Sequence, residues 1–185
     1  MNRPIRWFVI LLMVGGCHRR HTLNNNPATL PSPSGLTQFV STQHGIHLSY
    51  PSSWTVHPSE DYVLLLMPPG VDRPQNCSLS LDIPDLPPHL PGMIRMGMIK
   101  DGYIEDLRKK APDLKIIEDQ PHPVDDATGR LVRTAWTADG RSYGETVLLL
   151  IHKGDVFLIR STSDLAHQST ARAAFDQAIA SIRWQ

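Results

Sequence analysis

Residues 140 to 144 read GRSYG. This is the G-x-S-x-G spacing that, in a nucleophile elbow, sets a serine on a sharp strand-to-helix turn with its oxygen exposed and backbone donors free for an oxyanion. Ser142 would then be the nucleophile, with Asp155 or Asp164 as the acid and His167 as the base, downstream in the order the motif expects. The residues after the second glycine, ETVLLLI, have the composition of a strand rather than a helix. Gly140 also follows Asp139 in the Asp-Gly pair that tight hairpins use. Ser142 is therefore expected at a strand start, and hydrolysis ranks behind binding.

The chain carries nine histidines, and His44, His47 and His57 are near one another in sequence. Neutral imidazoles on one helix face can share a metal. This stretch reads as strand and turn, where an odd spacing sends side chains to opposite faces, so solvated loop histidines are the plainer account. Asp119, Asp125 and Asp126 surround QPHPVDDATG but lack the alternating oxygen ligands and closing Glu of a calcium loop. No metal, cofactor or catalytic residue is assigned. The Asn76-Cys77-Ser78 sequon lies in an alternating strand-like segment, where a buried, inert thiol is the default.

The residue type most suggestive of chemistry is Cys17. It follows Arg3 and Arg6, an uninterrupted apolar run from Trp7 to Val14, and Gly15-Gly16. That is the build of a secretory signal. Arg19 and Arg20 stop it well short of the roughly 20 apolar residues a membrane span needs. VGGC resembles the bacterial lipobox, which implies a diacylglyceryl thioether on Cys17, cleavage before it and an acylated N-terminus. More than one fatty chain would hold the protein to the membrane, with Arg19 and Arg20 at the headgroups. His18 stands where an aspartate would signal inner-membrane retention, so in a source with two membranes the outer membrane, facing the periplasm, is favoured.

The expected organisation is a signal peptide over 1–16, a lipidated cysteine and flexible tether over 17–35, and one globular domain over 36–185. HTLNNNPATLPSPSG has the composition of the tether. The chain has 18 Lys and Arg against 18 Asp and Glu. Four of the basic residues and none of the acidic ones precede residue 36, which leaves the domain 14 basic against 18 acidic. A mildly acidic domain excludes nucleic acid as the expected partner.

These residues must be positioned by strands first. FVSTQHGIHLSYP predicts a hairpin turning near His44 and Gly45, with Ile46, Leu48 and Tyr50 on one face. YVLLLMP, SLSLDIP and LKIIED add three strands, and Met93–Lys110 is expected to be a helix. Residues 129–164 predict three further strands, bent at Asp139-Gly140 and Lys153-Gly154-Asp155. VLLLI and VFLIR are apolar at both parities, which requires cover on both faces. A closing helix from Gln168 to Arg183 carries Ala171, Ala174, Phe175, Ala178, Ile179 and Ile182 as a core stripe. Trp54, four residues past Tyr50, is expected to fold back and close one end of the core, with a partner-binding surface indole as the competing reading. The fold class is α+β, a meandering antiparallel sheet with helices packed on its faces.

The order of GIHLSYPSSWTV, a middle helix, GRLVRTAW, KGDVFLIRSTS and a final AIASIRW resembles the PsbP-like superfamily from about Thr37 to Trp184. Gly45, Tyr50, Pro51 and Trp54 carry most of the likeness. The resemblance implies an α/β/α sandwich and a habit of binding other proteins or serving as an accessory subunit, and it offers no catalytic residue. The expected function is a membrane-anchored envelope lipoprotein that binds an envelope protein without catalysis. A small-molecule or metal-binding lipoprotein is the alternative, and a serine hydrolase comes third.

Overall fold

The computed structural model describes residues 35–84 and 92–185, with the side chains of 92–95 left out. Residues 1–34, with the expected signal segment, Cys17 and all of the expected tether but Gly35, lie outside the described residues. Antiparallel strands with two helices packed on them make an α+β fold, as expected. A three-stranded sheet has the order β1 (Leu36–Ser41), β2 (Ile46–Pro51) and β10 (Arg183–Trp184). A seven-stranded sheet runs β3 (Thr55–Val56), β4 (Leu64–Met67), β5 (Cys77–Asp82), β9 (Asp155–Asp164), β8 (Arg141–His152), β7 (Thr128–Ala138) and β6 (Lys115–Pro121). The meander from β6 to β9 meets the meander from β3 to β5 where β9 pairs antiparallel with β5. Helix α1 (Gly92–Lys110) joins the two halves, and α2 (Gln168–Ala180) follows β9 through a 3-10 turn at Leu165–His167.

Local chemistry accounts for the bends. Asp139 and Gly140 have φ of 51° and 73°, and Lys153 and Gly154 have 47° and 94°. Consecutive positive φ values belong to the tight hairpin turn whose twist matches that of the flanking strands. Gly129 has a different reason to be glycine, because a Cβ there would stand 2.0 Å from the carbonyl oxygen of His122.

The two parities of the central strands point into two cores, the arrangement their apolar runs require. Leu148, Leu150, Phe157 and Ile159 face α2 and the small sheet, packing with Phe175, Ala178, Ile46 and Leu48. Val147, Leu149, Val156 and Leu158 face α1, packing with Met96 and Ile104. Ile46, Leu48 and Tyr50 are buried together, as their alternation predicts. Trp54 is 6% exposed in the same core, and its backbone N–H turns back to the Pro51 carbonyl at 2.9 Å.

The last helix departs from expectation at its end. It stops at Ala180 rather than Arg183. Ser181 closes it by donating from Oγ to the Ala178 carbonyl at 2.8 Å, while the same oxygen accepts the Ser49 N–H at 2.7 Å. Arg183 and Trp184 then pair with His47 and Ile46 as a strand. Ile182 still reaches the core, so the apolar stripe holds although its last residue is not helical.

Candidate functional site

Ser142 is the second residue of β8, in register with Thr137, and its surroundings are regular strand rather than an elbow. Asp155 sits opposite His152 at the far end of β8, roughly 33 Å away at about 3.3 Å per residue. Asp164 is brought close: it pairs with Tyr143 and lines the same cleft as Ser142, a space of about 210 Å³ on the α2 side. His167 Nδ1 lies 2.7 Å from Asp164 Oδ1, and the His167 backbone N–H donates to that oxygen at 3.1 Å. Asp164 is thus the N-cap of the 3-10 turn. Burial pushes its carboxyl up, but the hydrogen bonds from His167 outweigh this and leave it below the ordinary value. One acid and the base that a triad would need do meet, in a capping role, and no described hydrogen bond joins either to Ser142.

The other sequence candidates disperse. His44 Nδ1 is 3.8 Å from Asp155, His57 donates its backbone N–H to Leu65, and His47 Nε2 is buried with no partner. Asp119 pairs with Arg130, whose hydrogen bond holds its carboxyl below the ordinary value, and with Lys100 at 3.5 Å. Asp125 takes a φ of 54° in a turn, and Asp126 reaches His152 Nδ1 at 3.1 Å. Among the described residues no three His, Cys, Asp or Glu side chains converge on a metal-sized site. Cys77 is fully buried, and burial pushes its thiol up to about 11.

Tertiary structure assembles a different site, on the α1 side of the large sheet. Beyond the apolar patch that α1 covers, the sheet carries two transverse polar rows. In the first, Thr134, Glu145, Thr162 and Ser78 stand side by side across β7, β8, β9 and β5. In the next, Arg160 lies between Val147 and Ser80. Glu145 is 8% exposed. Its Oε1 accepts from the Tyr103 hydroxyl of α1, and its Oε2 accepts from Thr162 Oγ1 at 2.8 Å. Burial pushes its carboxyl above the usual range, against the lowering effects of the Thr162 hydrogen bond and the Arg160 charge.

Arg160 is held less completely. Its guanidinium lies 4.7 Å above the Tyr62 ring, a cation–π distance. Its Nη2 is 3.7 Å from Asp82, longer than a hydrogen bond. Its Nε is buried with no partner. Burial pushes the Asp82 carboxyl up, and the Arg160 charge opposes that. Tyr62, Ser78, Ser80, Glu145, Arg160 and Thr162 surround a cavity of about 250 Å³, with Gln75 and Pro74 among its walls. Sequence reasoning passed over this site. Its signal was a charged residue at an inward register next to the apolar run of each of two strands, Glu145 before TVLLLI and Arg160 after VFLI.

No family model matches this sequence, and no curated protein matches it either. Solved structures do resemble it. Cyanobacterial PsbP (CyanoP) of Synechocystis sp. PCC 6803 superposes with a TM-score of 0.62 at 13% identity, over 93% of this chain and 99% of that one. The yeast Ran-binding protein Mog1p of Saccharomyces cerevisiae gives 0.54 at 9% identity, over 80% and 95%. LpqN of Mycobacterium tuberculosis, described as involved in cell envelope biogenesis, gives 0.52 at 11% identity, over 74% and 81%. The chain therefore has a PsbP-like fold. Among the described residues no helix is long and apolar enough to cross a membrane.

Proposed function

We propose that this chain is a bacterial envelope lipoprotein, acylated at Cys17 and seated in the outer membrane facing the periplasm, whose PsbP-like domain acts as a non-catalytic binding or accessory module. The observation that carries the reading is the succession of Arg3 and Arg6, the apolar run Trp7 to Val14, and Gly15-Gly16-Cys17 before a Pro, Asn and Ser-rich stretch. The shared fold supports it, since one neighbour is described as an envelope-biogenesis protein. The geometry agrees, because Ser142 lies in regular strand and the Asp164–His167 pair caps a turn. A second reading, a lipoprotein that binds a small ligand, is favoured by the polar cavity around Arg160.

Metabolic labelling with an alkyne palmitate analogue in a bacterial host tests the anchor. The full chain is expected to take up the label and fractionate with membranes, whereas Cys17→Ser stays unprocessed or soluble and unlabelled. Recovery of Cys17→Ser in the membrane fraction at wild-type mass and level would overturn the anchor.

A further inference from the structure

We infer that the α1-side cavity is a binding site for a small hydroxycarboxylate, with the ligand's carboxylate on Arg160 and its hydroxyl on Thr162. The inference rests on the small-ligand reading and is independent of acylation at Cys17.

A guanidinium offers five N–H donors in a rigid plane and cannot lose its charge. The Arg160 guanidinium carbon stands 4.7 Å over the Tyr62 ring. Asp82 stands beyond hydrogen-bond distance from Nη2, and the buried Nε has no partner. An unpartnered buried donor is costly, more so on a charged group. A carboxylate accepting from Nε and a neighbouring nitrogen at once would give that donor its partner, in the two-bond geometry in which arginine binds carboxylates best.

The hydroxyl follows from proton accounting. Thr162 Oγ1 gives its single proton to Glu145 Oε2, so only lone pairs remain for the cavity that Thr162 also lines. A hydroxyl is one donor plus two acceptor sites. A ligand that completes Thr162 must therefore donate, as an alcohol does and a second carboxylate oxygen does not. Ser78 and Ser80 can both donate and accept, and they suit the rest of a small polar molecule.

Charge and size narrow the class. Arg160 disfavours a cation, and the polar lining disfavours a hydrocarbon. One guanidinium matches one negative charge, so a monoanion fits better than a phosphate dianion. At about 250 Å³ the cavity falls below the roughly 300–1,000 Å³ of drug-sized sites, which points to a compact ligand.

The test is an NMR titration of the ¹⁵N-labelled full chain in detergent micelles with sodium lactate, sodium acetate, lactamide and sodium chloride. The Arg160 Nε–H and the amides of Ser78, Ser80 and Thr162 are the reporters. Lactate is expected to move them saturably and about fivefold more tightly than acetate, the worth of one added hydrogen bond. Lactamide and chloride should leave them in place. Arg160→Gln should abolish the response to both acids, and Thr162→Val should equalise them, each with the rest of the amide spectrum unchanged. If either variant fails to fold, the four probes on the native chain still decide. Equal binding of acetate and lactate overturns the hydroxyl assignment. Lactamide binding as well as lactate overturns the carboxylate class while leaving a ligand site. No movement with any probe overturns both this inference and the small-ligand reading.

Discussion

The two faces of the seven-stranded sheet differ in how they are covered. On the α2 side the apolar parity of β5, β8 and β9 meets α2 and the inner face of the three-stranded sheet in one continuous core. On the α1 side a smaller apolar patch lies under α1, and the sheet beyond it is polar, with Glu145, Arg160, Thr162, Ser78 and Ser80 around a half-open cavity. One face is spent on stability. The other leaves the Nε of Arg160 buried without a partner, a cost the first face must offset. Residues that matter most to folding should thus lie on the α2 side, and those that matter to binding on the α1 side.

Trp54→Ala tests the first half of that contrast most severely. The indole is buried in the α2-side core, and its loss should cost about 3 to 5 kcal/mol, a large part of the stability of a domain this size. Denaturant unfolding measures it. A variant that keeps its midpoint but loses a binding partner would make Trp54 an interface residue and break the contrast.

Ile104→Ala on the α1 side, where Ile104 is 4% exposed, should cost about 2 kcal/mol, the lower end for such a change. The smaller core beside a cavity has room to collapse. A cost equal to that of Trp54→Ala would show that α1 is as firmly seated as α2.

The carboxyls of Glu145 and Asp164 should respond to pH with opposite sign. Glu145 is pushed above its unfolded value by burial, so its contribution is fully present below the ordinary carboxyl range and is lost as pH rises through its folded value. Glu145→Gln should therefore raise the melting temperature at pH 8 while giving little gain at pH 4. Asp164 is held below its unfolded value despite its burial, so its contribution is present above the ordinary range and is lost as pH falls. Asp164→Asn should lower the melting temperature at pH 7 and make little difference at pH 2. Scanning calorimetry across pH reads both, and parallel profiles for the two variants would contradict the assigned shifts.

The smallest expected effects concern the reactive-looking residues. Cys77, fully buried with its thiol raised to about 11, should not react with a thiol reagent at pH 8 until the domain is unfolded. Ser142→Ala should change the unfolding free energy by no more than about 0.5 kcal/mol, as surface changes usually do. Loss of an ester-hydrolysing activity on that change would promote the Ser142 cleft over the Arg160 cavity.

Much of the fold was legible because it rests on local rules. Two-residue periodicity placed Ile46, Leu48 and Tyr50 on a buried face, doubled apolar parity marked β8 and β9 as covered on both sides, and a 3.6-residue stripe identified α2. Asp139-Gly140 and Lys153-Gly154 turned where left-handed backbone was needed. The signals that misled were also local. The GRSYG spacing describes a turn followed by a strand as well as it describes an elbow, and Arg183 looked helical because the partner strand it joins, β2, lies more than 130 residues earlier.

What the sequence determined by itself is the set of elements, the parity of each strand and the signal-like segment ending at Cys17, since each depends on neighbours a few residues apart. Tertiary structure alone decided which strands pair, and therefore that Glu145, Thr162, Ser78 and Arg160 share one face beside Tyr62. Those residues come from three strands and a loop. Nothing in their own segments records that β9 lies between β8 and β5, because strand order is set by how two meanders join, through hydrogen bonds between residues some 80 positions apart.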